Sequence, residues 1–297
     1  MTAKSTQHTE PGAVSATNGE AIEAWNTVLF DKFWRYRETV SRLLGGLGDA
    51  LLSRCRPTPG ERVLDIGCGF GDTTIELARR VGPGGLALGV DAAPRFIDEA
   101  LRTTAQAGVD NAQFLVADAQ TAHLGRGFDA AYSRFGTMFF ESPVLALRNI
   151  RSAMIRGGRL AMVVWRDQSD NEFLDVPARC ARDILGNSRR LDGPTCGPGP
   201  FSMADANTLR VVLAASGFAG ADIERHDATV CLGRDLDEAV EIALELGPAG
   251  ELLRLSADGA RLRAEVAASV REGLAAFSTD DGVFVGASVW LVSARVA

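Results

Sequence analysis

The chain has 297 residues, 46% of them hydrophobic, enough to bury one large core or two modest ones. A net charge of -7 argues against nucleic acid and anionic membranes as main partners, since both select basic patches. Five cysteines (55, 68, 180, 196 and 231) are scattered with no Cys-x-x-Cys pair, and no run nears the roughly 18 apolar residues of a membrane span. The polar start lacks a leader's apolar centre, so a reduced, cytoplasmic protein is expected. Histidines 8, 123 and 226 do not cluster with the cysteines at metal-ligand spacing, so no metal is expected.

Residues 1–18 are rich in Ser, Thr, Gly and Ala without an apolar period and read as a disordered tail. Residues 19–297 are then one domain. From Glu20 to Cys55 the pattern is helical, with Trp25, Val28, Leu29 and Phe33 at helix spacing, then Val40, Leu43, Leu44, Leu47, Leu51 and Leu52. Gly45-Gly46 and Gly48 interrupt it, which predicts two or three helices. The aromatic side chains of 19–56 pack on a sheet or form a lid over a ligand.

Arg62–Ile66 is the first strand. Thr73-x-x-Glu76 has the form of a capping box and opens a helix that Gly82-Pro83-Gly84-Gly85 ends. Further strands are expected at Leu86–Val90, closed by Asp91, at Gln113–Ala117, closed by Asp118, and at Phe128–Ser133. Ser142 and Pro143 suit an N-cap and a first helical position, and Gly157-Gly158 would stop that helix. Arg159–Trp165 is continuously apolar beyond its first residue, as a strand covered on both faces should be. Strands and helices alternate five times, which predicts a doubly wound, mostly parallel α/β sheet with right-handed crossovers. Strands at Ala221–Leu232 and Ala287–Val296 bring the count to seven. Residues 166–203 and 234–280 interrupt the rhythm as helical cap inserts.

The stretch Val63-Leu64-Asp65-Ile66-Gly67-Cys68-Gly69-Phe70-Gly71 ends a strand in a glycine-rich turn that feeds a helix. Such a turn lets a ligand approach the backbone. The Gly-x-Gly-x-Gly spacing, followed by Asp72, differs from the Gly-x-Gly-x-x-Gly of dinucleotide sites, and no Gly-Lys-Ser/Thr is present. Asp65 before the turn would repel a phosphate and favour an ammonium or sulfonium. Cys68 reads as a small side chain filling a tight corner.

These residues resemble motif I of class I S-adenosylmethionine-dependent methyltransferases, with the ubiquinone/menaquinone C-methyltransferase-like group, which acts on small molecules, the most similar. The likeness covers about residues 60–165. It implies a Rossmann-like fold and S-adenosylmethionine as cofactor, leaving as S-adenosylhomocysteine. It implies cofactor contacts from Asp65, Gly67, Cys68, Gly69 and Gly71; from Asp91 and Ala92 to the ribose; from Asp118, Ala119 and Gln120 to the adenine; and from Ser133, Arg134 and Phe135 at the methyl end. The expected acceptor is a small, apolar or aromatic molecule against Trp25, Trp34, Phe135, Met138, Phe139 and Trp165, half of which could equally be core. His123 and Arg134 are the candidate catalytic groups. His123 reads equally as a surface residue and Arg134 as an ion-pair partner. A homodimer is left open. The competing function is a non-catalytic sensor or partner subunit that binds the same cofactor.

Overall fold

A computed structural model describes residues 16–186 and 199–297. Residues 1–15 of the expected tail, and Cys196 in the Gly/Pro-rich loop, lie outside the described residues. Helix α1 spans Ala16–Ala24, so residues 16–18, expected in the tail, are helical. A single π-helical turn follows at Trp25–Leu29, then α2 (Phe30–Arg35) and α3 (Arg37–Arg54). The glycines of α3 do not break it. Leu43, Leu47, Leu51 and Leu52 bury one continuous stripe, and that packing outweighs glycine's poor helix propensity.

The sheet begins with β1 (Arg62–Ile66), α4 (Asp72–Val81), β2 (Leu86–Asp91), α5 (Pro94–Ala107) and β3 (Ala112–Val116). It continues through β4 (Phe128–Arg134), α6 (Pro143–Ala153) and β5 (Met154–Trp165). Extended backbone therefore starts at Met154, five residues before the expected strand, and Gly157 and Gly158 lie inside β5. Then come α7 (Glu172–Leu185), α8 (Ala206–Ala215) and β6 (Phe218–Gly233). Helices α9 (Leu236–Glu245), α10 (Pro248–Leu255) and α11 (Gly259–Leu274) precede β7 (Ser278–Thr279) and β8 (Gly282–Val296).

The strand order is β3-β2-β1-β4-β5-β8-β6, with two-residue β7 paired to β8 alone. The sheet is thus the seven-stranded one expected, with one short addition. Strands β1 to β5 are parallel, and β8 and β6 are antiparallel to their neighbours. In β1, Val63 to Ile66 are all buried, as a strand covered on both faces must be. The chain runs outward from β1 to β3 and then returns to β4. That reversal puts the topological switch point at the carboxyl ends of β1 and β4, where ligands bind in open α/β sheets. Helices α10 and α11 pack on α7, so the two inserts meet each other.

Candidate functional site at the carboxyl ends of the central strands

The loop after β1 hangs from the end of β2: the N–H groups of Gly67 and Cys68 donate to the Val90 carbonyl at 2.8 and 3.1 Å. Gly67, Gly69 and Gly71 all have positive φ (68°, 53° and 84°), where a Cβ costs roughly 1–2 kcal/mol. Their surroundings differ. A Cβ on Gly67 would come within 2.8 Å of the Gly136 Cα, and one on Gly71 within 2.9 Å of the Ala100 Cβ. A Cβ on Gly69 would meet only the Phe96 ring, at 3.9 Å. Two of the glycines therefore serve close packing, and Gly69 borders space into which a ligand can reach.

One carboxylate, at the end of β2, holds the backbone beside that space. Asp91 accepts from the Gly69 N–H through Oδ2 and from the Ala93 N–H through Oδ1, both at 3.0 Å, with Ala92 in the turn between. Burial raises its pKa, and those backbone donors work against the rise. Asp65 is 1% exposed and accepts from the Thr74 hydroxyl at 2.6 Å. Burial pushes it up to about 6, although Thr74 and the Arg134 charge oppose the shift. Thr74 is thus committed to Asp65. The expected capping box is not formed: α4 starts at Asp72 after an uncapped Gly71. Nor does the Ser142 side chain cap α6, although Pro143 does take its first position.

Asp118 opens the loop after β3. Its Oδ1 accepts from the Gln120 N–H at 2.9 Å, and its Oδ2 from the Asn18 amide at 2.6 Å. The Gln120 side-chain oxygen accepts from the Ser142 N–H, and the Ala119 carbonyl from Asn149, which fixes the loop against α6. The Ser133 hydroxyl donates to the Ile66 carbonyl at 2.9 Å and ties the ends of β4 and β1. Phe135 is the one described non-glycine residue with positive φ, at 60°. Such backbone strain is held where surrounding packing over-determines it. Here the Phe135 ring stacks on Trp165 at 4.2 Å, and Trp165 meets Phe173 at 5.2 Å.

The structure separates the expected acceptor residues. Trp25 meets Phe139 edge-on at 5.0 Å and Phe96 at 6.2 Å, so the π-helical turn reaches the loop after β4. Met138 is fully buried and its sulfur accepts from the Trp165 N–H, a core position. Trp34 is 46% exposed and stacks on Phe30, beside Phe70 and under Arg37. His123 is exposed and makes no hydrogen bond to the corner residues, and His226 lies on edge strand β6. Arg134 is half-buried along α3, where a Cβ on Gly48 would press within 2.9 Å of its Cδ, and no salt bridge holds it among the described residues. Burial pushes the Cys68 thiol well above its ordinary value, consistent with an inert packing residue.

Three contributors were not legible as such. Thr74 was hidden in an apparent cap. Asn18 and Arg37 act from segments read only as tail and helix. Arg37 lies over the Phe70 ring and pairs with Asp72 at 3.3 Å and Glu99 at 3.5 Å, gripping the turn from above. Two surface clefts, about 510 and 330 Å³, are lined by residues outside this corner. No described helix is long and apolar enough to cross a membrane, and no described group of three His, Cys, Asp or Glu could hold a metal.

Comparison with known proteins bears on the cofactor. Residues 57–183 match a family described as a methyltransferase domain. Over 116 residues the chain is 36% identical to the aklanonic acid methyltransferase DauC of Streptomyces sp. (strain C5). That alignment covers 39% of this chain and 53% of DauC, so the chain spans about half the length of this curated relative. It is 22% identical over 184 residues to the demethylmenaquinone methyltransferase of Lactococcus lactis, covering 59% of this chain and 72% of that one. The magnesium protoporphyrin IX methyltransferase of Synechocystis PCC 6803, solved with bound S-adenosylhomocysteine, shares the fold. Its TM-score is 0.53 at 16% identity, over 94% of this chain and 99% of that one. The glycine turn, the strand-end acids and the matched segment together make residues 57–183 a methyltransferase domain of the S-adenosylmethionine-dependent family.

Proposed function

We propose that this chain methylates a small, apolar or aromatic molecule. The observation that carries the reading is Gly69, which borders open space in the turn after β1 and whose N–H is held by Asp91 at the end of β2. The cofactor fits these groups. Asp91, already braced by two backbone donors, would accept from the ribose hydroxyls. Asp118 would accept from the adenine amino group, and Asp65 would offer its charge to the ammonium of the amino-acid end. When bound, S-adenosylmethionine supplies a sulfonium methyl group whose leaving group is neutral.

The chain's own contribution is placement and exclusion of water. Phe135 and Trp165 wall one side of the methyl end, and Trp25 with Phe139 walls the other. Holding acceptor and methyl in line is worth up to about 7–11 kcal/mol of barrier. Among the described residues neither His123 nor His226 hydrogen-bonds to the corner residues, which supports a reading in which an acceptor that carries its proton depends on a carboxylate or on its own acidity. The names of two relatives support a small acceptor: one is called for aklanonic acid and the other for demethylmenaquinone.

The test is turnover. Purified protein with methyl-labelled S-adenosylmethionine is offered phenols, amines, carboxylates and quinols, and product is read by mass. Label transferred to at least one acceptor is expected. Tight binding of S-adenosylhomocysteine without transfer to any of them would favour the sensor function instead.

A further inference from the structure

The N-terminal segment reaches every loop of the cofactor corner. Asn18 bonds Asp118 after β3. Asn26 accepts from the Arg95 N–H in the first turn of α5, and Asp31 pairs with the Arg95 guanidinium at 2.8 Å. Trp25 meets Phe139 after β4, and Arg37 pairs with Asp72 at the start of α4. Trp25, Asn26 and Arg37 are half-buried and Asp31 is exposed. Asn18 differs: it is 7% exposed and, with Ala21, one of two side chains described as buried in α1. A buried amide needs its hydrogen bond, since losing the partner costs more than the bond itself returns.

That bond lands on a group with a second duty. A carboxylate offers about four lone-pair sites. On Asp118 the Gln120 N–H takes one on Oδ1 and Asn18 takes one on Oδ2, while the Gln120 side-chain amide stands further off, at 3.4 and 3.5 Å. The two short bonds fix the carboxyl plane and leave room for a ligand N–H. The adjoining turn, Trp25–Leu29, is π-helical and has no buried residue. Such turns recur at functional sites within helices. Helix α1 therefore lies between a π-helical turn anchored by Trp25 and the Asn18 bond to the cofactor loop.

We propose that Asn18 is a cofactor-positioning residue. Its amide orients Asp118 toward the nucleobase amino group and, through the same bond, latches α1 over that end of the corner. This rests on the reading of the corner as an S-adenosylmethionine site and adds to it a determinant of base selectivity and residence time.

The experiment measures binding and stopped-flow dissociation of S-adenosylhomocysteine and of its deaminated analogue, S-inosylhomocysteine, on the full chain. Wild type should favour the amino form. Asn18→Ala should weaken S-adenosylhomocysteine about three- to tenfold, mostly by faster dissociation, and narrow the preference over the analogue. Asn18→Asp should weaken it further, and pairing Asn18→Asp with Asp118→Asn should recover part of the loss. Unchanged affinity in Asn18→Ala overturns the latch and leaves the cofactor reading intact. Equal weakening of both ligands also overturns it, because a purely structural role would not discriminate between bases. If wild type binds neither ligand, the cofactor reading fails and the latch with it. Ligand-free melting reports folding, and Asn18→Ser with the charge swap carries the test if Asn18→Ala does not fold.

Discussion

Asp65 lies in central strand β1 with Leu64 and Ile66 buried beside it, and its carboxyl is raised from an ordinary 3.8 to about 6 by burial. The sign of the linkage follows. Between roughly pH 4 and 6 the folded chain holds this proton more firmly than the unfolded one, so the group's contribution to stability falls as pH rises through that window. Above it the buried charge is a penalty on the order of 1–3 kcal/mol, since each tenfold change in proton affinity is worth about 1.4 kcal/mol. Asp65→Asn keeps an acceptor for Thr74 and removes the charge. It should raise the ligand-free melting temperature at pH 7.5, flatten the pH dependence between 4 and 6, and weaken S-adenosylhomocysteine about tenfold or more. A lower melting temperature at pH 7.5 would mean that the carboxylate supports the fold and that its burial is not the cost described.

At the scale of the element, the turn joining β1 to α4 divides its labour among three glycines. Gly67→Ala drives a Cβ onto the Gly136 backbone at 2.8 Å, which only a shift of the β4 loop could relieve. It should destabilise the protein by about 2–4 kcal/mol. Gly69→Ala meets no such clash and should cost only about 1–2 kcal/mol for its left-handed backbone, while abolishing measurable cofactor binding. Thermal melts and ligand titrations of the two variants separate the roles, and equal loss of stability in both would refute the division. The turn itself was legible because its glycines follow a buried apolar run and precede a helix. Asp91, the last residue of β2, and Asp118, two residues past β3, were legible for the same reason, since each follows the point where an apolar run stops. What stayed hidden depends on tertiary partners. Thr74 looks like an intervening position of the Thr73-x-x-Glu76 pattern until its hydroxyl is seen to donate to Asp65. Gly45 and Gly46 look like breaks until the leucine stripe of α3 is seen to be packed. Trp25 and Trp34 look alike in sequence, yet Trp25 meets Phe139 while Trp34 stacks on Phe30 and Phe70, since positions nine apart fall on opposite faces of a helical segment. The sheet's antiparallel edge was only partly legible: Ala287 was expected to begin a strand that in fact starts at Gly282, with Val283 and Val285 buried in it.

Across the whole molecule, the main apolar core runs from Leu47 and Leu51 in α3, through Leu64, Ala131 and Val163 in the sheet, to Val266, Val270 and Leu274 in α11, with a smaller separate cluster of Phe30, Phe70, Ala93 and Phe96 at the N-terminal helices. The inserts are therefore continuous with the cofactor-binding half, since α7 packs against both α10 and α11 while β8 pairs with β5. Elements that share one core and one sheet lose their mutual burial together, so unfolding should be a single cooperative step despite the chain's length. The tryptophans report this well: Trp25 lies in the N-terminal segment, Trp165 ends a parallel strand, and Trp290 sits on β8 with its ring N–H donating to the Ala204 carbonyl. Fluorescence and far-ultraviolet circular dichroism should follow the same transition. S-adenosylhomocysteine at a hundred times its dissociation constant adds about 2.7 kcal/mol of stability. In a chain of this size that is a rise of roughly 4 °C. The rise should appear equally in both signals, because a ligand held at one end of a continuous core stabilises all of it. Two separated transitions, or a ligand shift seen by fluorescence and not by circular dichroism, would show instead that the helical inserts fold apart from the cofactor-binding sheet. In that case the acceptor pocket would be assembled by docking of two units and would lose its walls before the cofactor site melts.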